Sequence, residues 1–235
     1  MASYNKKVII AGKQLEIYEY KESVIYGYTD IKKCSKGRQS TANDEDKKIN
    51  REMVFKRART NLRRLINCNI QSDSKFLTLT FKDNITDLDF ANNEFKKFIK
   101  RLNYHFNIKL KYSCVIEFQK RGAIHYHVVL YNLNGKVDLN KLSDIWGHGF
   151  IKLNKINGID NVGAYICKYM SKTNDKRLEG RKMYFNSRNL IKPTEIKDLE
   201  IVNALVGSLQ NQSPKYENTF NNEYNSINYK QYIIY

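Results

Sequence analysis

The stretch from Lys111 to Tyr131 leaves this chain little conformational choice. Two runs rich in β-branched and aromatic residues, 111–118 and 123–131, flank a short turn containing Gly122, the pattern of a β-hairpin. Inside the second run, AIHYHVVLY, stand His125 and His127. Successive side chains of a strand point to opposite faces, so both imidazoles share one face and Tyr126 takes the other. Buried imidazoles need partners, and one shared cation satisfies two of them at once. Two histidines bonded to neighbours, or exposed on an open sheet face, are the plainer alternative.

Glu117 shifts the balance. With Lys120-Arg121-Gly122 as a three-residue loop and Gly122 left-handed, Gln119 pairs with Ala123. Glu117 then lies opposite His125 on the imidazole face. Two imidazoles and a carboxylate with open positions suit Mg2+ or Mn2+ holding a substrate oxygen. Zinc is chemically possible, but the HExxH helix of metalloproteases is absent. The competing role for Glu117 is neutralising Lys120 or Arg121.

Elsewhere the periodicity predicts strands over 7–11, 15–20, 24–28, 76–81, 150–153 and 229–235. Helices are predicted over 44–67, from a Thr86 cap to 106, and over 138–146, 159–172 and 194–209, with Thr194 capping the last. Residues 31–43 read as loop. Phe76, Thr78 and Thr80 face one way on their strand, and Leu77, Leu79 and Phe81 the other. Interleaved strands and helices with a clear hairpin mean an α+β fold around a central, largely antiparallel sheet flanked by helices. The domain reading is 1–194, with its motifs in 76–172, followed by a C-terminal helix and an Asn/Tyr-rich tail over 195–235.

Charge narrows the partner. The net charge is +17 over 235 residues, and the segment from Glu195 onwards holds more acidic than basic residues, so the excess lies in 1–194. Such self-repulsion in a folded domain points to a polyanion, with nucleic acid the first choice. The helix over 44–67 is expected to turn Ile49, Met53, Leu62 and Leu65 inward and to offer Arg51, Lys56, Arg57, Arg59, Arg63 and Arg64 to phosphates, with Arg121 from the hairpin loop. No long apolar run and no signal-peptide pattern is present, so a soluble, cytoplasmic protein without a membrane partner is expected. Cys34, Cys68, Cys114 and Cys167 show no metal-site spacing and read as free thiols. There is no Walker A sequence.

A second constellation lies at 163–172, where Tyr165, Lys168, Tyr169 and Lys172 form overlapping Tyr-x-x-Lys units. On a helix Tyr165 and Tyr169 are neighbours, with the lysines beside them. A phenol is a poor nucleophile at its normal pKa of about 10, and a nearby ammonium favours the phenolate. Lysine also neutralises charge growing on phosphoryl oxygens. Tyr165 projects further from the apolar stripe and is the expected first nucleophile, Tyr169 the second. In a chain with seventeen tyrosines, core-edge aromatics are the bland alternative.

Taken in order, Leu77–Phe81 (LTLTF), Glu117 with Gly122 and His125-Tyr-His127, then Tyr165-Ile-Cys-Lys168-Tyr169 resemble the three motifs of HUH endonucleases. Paired tyrosines after the histidines resemble the two-tyrosine rolling-circle initiators of small single-stranded-DNA phages and some plasmids. The Trp146-Gly-His-Gly149 turn is similar to one in phage initiators. The resemblance implies an RRM/ferredoxin-like nuclease fold, with His125, His127 and Glu117 holding the cation on single-stranded origin DNA. It implies attack by tyrosine, a 5′-phosphotyrosine link, a free 3′-hydroxyl primer, and rejoining at termination. A host helicase, single-strand-binding protein and polymerase in a bacterial cell would be the partners. The alternatives are a two-tyrosine transposase or mobilisation relaxase, a metal-dependent hydrolase without a covalent step, and a non-catalytic single-strand-binding module.

Overall fold

The structure is a computed structural model that describes residues 2–27, 43–154, 156, 158–170, 176–209 and 211–234. Along the chain come β1 (Ala2–Ala11), β2 (Gln14–Tyr26), α1 (Asp44–Asn69), β3 (Lys75–Thr80) and α2 (Leu88–Phe106). The hairpin strands β4 (Tyr112–Phe118) and β5 (Ile124–Leu130) follow, then α3 (Leu139–Trp146), β6 (Ile151–Asn154) and α4 (Val162–Ile166). The remainder comprises β7 (Tyr184–Asn186), β8 (Thr194–Ile196), α5 (Leu199–Gly207), β9 (Tyr216–Asn221) and β10 (Ser226–Ile233). The fold is α+β with two five-stranded antiparallel sheets.

The chain divides into two compact units, Met1–Asn50 with Lys192–Tyr235, and Arg51–Ile191. This differs from a division at 194/195. The reason lies in the strand pairing: β2 takes β10 as partner, giving the order β8-β1-β2-β10-β9 rather than extending the motif-bearing sheet. Its apolar side buries Val8, Leu15, Ile17 and Tyr232 with Val202 and Leu209 of the α5 region. Glu22 and Ser23 do not break β2, which runs on against Ala2–Tyr4 past a bulge in β1. Thr194 is a strand residue opposite Ile10, and Asp198 caps α5 through a bond from the Ile201 amide, so the helix starts later than Thr194.

In the Arg51–Ile191 unit the order is β6-β3-β5-β4-β7. Every residue of central β5 is buried, as expected of a strand covered on both faces. On one face Leu77, Leu79, Ile116, Tyr126 and Val128 pack with Phe95, Phe98 and Leu102 of α2 and Trp146 of α3. On the other, Phe76, Val115, Val129 and Tyr131 pack with Leu62 and Ile66 of α1 and Val162 and Ile166 of α4. Within α1 the inward stripe is Phe55, Leu62 and Ile66, whereas Ile49 and Met53 are exposed, which corrects the expected stripe. Asp87, not Thr86, caps α2 by accepting from the Asp89 and Phe90 amides.

The helix predicted over 159–172 is much shorter. Asn161 caps it, α4 ends at Ile166, one 3-10 turn carries Cys167–Tyr169, and Met170 leaves with ψ 128°. Residues 28–42 and 171–175, with Cys34, Lys172 and most of the predicted loop, lie outside the described residues. Cys68, Cys114 and Cys167 are free thiols. Among the described residues no helix is long and apolar enough to cross a membrane.

Candidate active site

The hairpin has the register read from its turn. The Gln119 amide donates to the Ala123 carbonyl, Gly122 has φ 90°, and Glu117 stands opposite His125. On the next strand, Thr78 of β3 stands opposite His127. Four residues of the same face therefore meet where β3, β5 and β4 run side by side.

Nε2 of His127 donates to Oε2 of Glu117 across 2.6 Å, while its Nδ1 lies 3.2 Å from Thr78 Oγ1. The amide of Asn154 on β6 donates to that same Oγ1 at 2.9 Å. The imidazole is thus oriented from behind by two polar side chains, with its Nε2 turned to the carboxylate. The bond from His127 holds the Glu117 carboxyl below its ordinary range, against the opposing effect of burial. His125 is different. Its Nε2 is buried and has no hydrogen-bond partner. Burial, helped by the neighbouring His127, pushes its pKa below the usual imidazole value and keeps it neutral at pH 7.

Among the described residues, no three His, Cys, Asp or Glu side chains converge on one point that would hold a metal ion. The donor chemistry nevertheless fits a divalent cation. A buried, neutral, unpartnered imidazole nitrogen is a vacant ligand, and the His127–Glu117 pair beside it presents two further donors once the shared proton leaves.

The tyrosines reach this face from α4 and its 3-10 turn. The Tyr169 ring stacks on His127 with centroids 4.0 Å apart, and the Tyr165 and Tyr169 hydroxyls are 3.1 Å apart. Beneath them Phe76 of β3, fully buried, touches His127, Tyr165 and Tyr169 at centroid distances of 5.9, 6.0 and 5.7 Å. The bond from Tyr165, reinforced by burial, pushes Tyr169 up to about 12. Lys168 is exposed, with its ammonium 5.9 Å from the centre of the Tyr165 ring. Lys172 lies outside the described residues.

What sets α4 at this distance is a clasp to α1. Asn67 donates to Asn161 Oδ1 at 2.9 Å and accepts from the Gly163 amide at 2.8 Å, and Asn161 also accepts from the Ala164 amide. Gly163 is required by the close approach: a Cβ there would collide with the Arg63 carbonyl oxygen. At the other edge, Gly149 (φ 148°) passes so near β3 that a Cβ would lie 2.5 Å from the Lys82 nitrogen, and Trp146 Nε1 donates to the Thr80 carbonyl. The Trp146–Gly149 turn thereby pins the end of the strand carrying Phe76 and Thr78.

The predicted phosphate-binding residues do not gather at the imidazoles. Lys56, Arg57 and Arg59 are exposed on α1 or near to it, Arg63 and Arg64 are half-buried, and Arg51 is ion-paired to Glu179. Arg121 is exposed on the hairpin loop and donates to Gln119. Sequence reasoning passed over Thr78, Asn154, Phe76, Asn67 and Asn161. Strand alternation put Phe76 and Thr78 on one face, but only the pairing of β3 with β5 makes that the histidine face.

Residues 74–174 match the family model of the replication-associated protein ORF2. That segment contains β3, the hairpin and both tyrosines. The match covers less than half of the chain. It supports a part in the initiation of replication, with DNA binding and nuclease activity in general terms. No curated protein and no solved structure matches the chain.

Proposed function

We propose that the protein initiates rolling-circle replication by nicking single-stranded origin DNA with a tyrosine. The observation that carries this reading is the meeting of two phenol hydroxyls, 3.1 Å apart, with an imidazole–carboxylate pair: the Tyr169 ring lies on His127, and His127 is bonded to Glu117. Neither a core-edge tyrosine pair nor a stacking platform needs a buried, unpartnered imidazole nitrogen beside it.

Tyr165 attacks the scissile phosphorus. Its oxygen forms the new P–O bond, the O3′ bond breaks, and O3′ leaves with a proton as a free 3′-hydroxyl, so the strand stays linked through a 5′-phosphotyrosine. Lys168 places positive charge beside the Tyr165 ring, whereas Tyr169 is held protonated, which is why Tyr165 acts first. Tyr169 takes the second cleavage, and the released 3′-hydroxyl resolves the first link to close a circle. Mg2+ or Mn2+, held by His125, His127 and Glu117, would neutralise charge on the phosphate. Lys56, Arg57, Arg59 and Arg121 bind strand phosphates. Lacking a helicase motif, the protein relies on a host helicase, single-strand-binding protein and polymerase.

The test is incubation with a 3′-labelled pool of randomised single strands and Mn2+, followed by a denaturing gel. A protein–DNA adduct that disappears in Tyr165→Phe with Tyr169→Phe supports the reading. Cleavage that survives the double variant means direct hydrolysis, and binding without cleavage means a recognition module.

A further inference from the structure

On the far edge of the motif-bearing sheet, beside β7, the Arg51–Ile191 unit opens a cavity of about 520 Å³. That volume is within the range of small-molecule sites, roughly 300–1,000 Å³. Its walls come from α1, α2, β4 and β7, and none of its lining residues is a candidate metal ligand or nucleophile. Aromatic rings form one side. Phe95 and Phe185 stack with centroids 6.1 Å apart, and Tyr112 meets Phe95 edge-on at 5.8 Å. Three cations stand at the mouth. Arg181 is paired with Asp89, whereas Lys96 and Lys182 hold no ion pair among the described residues. Asn186 on β7 contributes a buried Oδ1 with no hydrogen-bond partner.

Flat apolar walls, two uncommitted ammonium groups and one orphaned acceptor ask for a planar, anionic ligand that carries an N–H donor. We propose that this cavity binds one unpaired nucleotide, its base against Phe95 and Phe185, its phosphate at Lys96 and Lys182, and an exocyclic amine donating to Asn186 Oδ1. Aromatic side chains bind bases without regard to sequence because every base has a π-face. The orphaned acceptor adds discrimination. Adenine, cytosine and guanine have an exocyclic amine, whereas thymine has none and flanks its ring N–H with two carbonyl oxygens that the Asn186 oxygen repels. β7 pairs with β4 through Tyr184 and Val115, two residues before Glu117, so a nucleotide here sits on the same strand pair as the candidate active site. The same chemistry is offered by a nucleotide within a DNA strand and by a free nucleoside monophosphate.

The test uses the full-length protein and two kinds of probe. Deoxyadenosine and thymidine 5′-monophosphates are titrated calorimetrically, and short fluorescein-labelled oligodeoxyadenylate and oligothymidylate are read by anisotropy at fixed salt. The adenine form should bind roughly 5- to 10-fold tighter than the thymine form, the size of one hydrogen bond gained or lost. Asn186→Ala should bring that ratio to about one with an unchanged unfolding midpoint. Lys96→Glu with Lys182→Glu should weaken the adenine probe at least about tenfold and, should Asn186→Ala fail to fold, decides the matter alone. Lys100→Glu with Lys109→Glu, outside the cavity, is the control for bulk charge and should leave the base preference intact. A mononucleotide that binds and competes with the strand identifies a free nucleotide as ligand. Preference seen only with the oligonucleotides identifies a nucleotide held within the strand. No base preference with either probe, or the same losses from Lys100 and Lys109 as from Lys96 and Lys182, overturns the proposal. The proposal does not rest on the tyrosine chemistry: the Tyr165→Phe/Tyr169→Phe double variant should keep the base preference, so the two readings fail separately.

Discussion

The Tyr169 ring lies on the His127 imidazole, and that contact makes a 3-10 turn and a β-strand parts of one site. Tyr169→Phe keeps the ring and loses only the hydroxyl bonded to Tyr165. Stability should change by about 1 kcal/mol or less, because a partly exposed hydroxyl pair contributes little net. A first adduct should still form through Tyr165, while strand rejoining is lost. Tyr165→Phe should lose the first adduct. A gel time course with each single variant separates the two outcomes.

Removing the clasp under α4 should cost more than removing a hydroxyl on it. Asn67→Ala leaves the buried Gly163 amide without its acceptor and removes a bond to Asn161, for an expected loss of about 1–3 kcal/mol. Gly163→Ala pushes a methyl into the Arg63 carbonyl and should cost about 3 kcal/mol. Urea unfolding with an unchanged m-value measures both, and adduct formation in the surviving fold should slow as Tyr165 loses its position.

Phe76 has no chemistry, yet it supports all three aromatic members of the site. Phe76→Ala should destabilise the protein by about 3–5 kcal/mol, whereas Phe76→Leu should cost far less in stability. If the ring only fills space, adduct formation in Phe76→Leu will match the wild type. A several-fold drop at equal stability shows that it sets the pose of Tyr165 and Tyr169.

Burial pushes the Cys167 thiol up to about 12, and that of Cys114 also rises. Below pH 9, the ordinary value, both folded and unfolded chains keep these protons and stability is unaffected. Between about 9 and 12 the unfolded chain ionises first, so stability should fall as pH rises through that window. At pH 8, iodoacetamide with peptide mapping should label Cys68, which is partly exposed, well before Cys167 or Cys114.

Charge on α1 should affect affinity without affecting chemistry. Lys56→Glu with Arg57→Glu, both exposed, should weaken single-strand binding for every sequence alike and reduce the salt slope by about one to two. Saturating DNA should restore the adduct yield. A variant that loses yield at saturation would place these residues in the chemistry instead.

The hairpin was legible because its rules are local: alternation decides the face and a three-residue loop ending in Gly122 decides the register, so Glu117 opposite His125 follows from spacing alone. The tyrosine segment was legible only as residue types. Its helical periodicity suggested a long helix, but capping at Asn161 and the turn of the backbone at Met170 leave five helical residues and a 3-10 turn. The edge strand β7, three residues long, has too little periodicity to be seen.

What the amino-acid order determined by itself is therefore short-range: which residues alternate, where a turn must fall, which side chains carry donors, and how much positive charge the chain must place. Tertiary structure alone decided that β2 joins β10, that β3 brings Thr78 and Phe76 to the histidines, and that Asn67 draws α4 over them. The physical reason is that strand partners and helix docking are selected by burial and hydrogen-bond satisfaction between segments far apart in sequence, which no window along the chain contains.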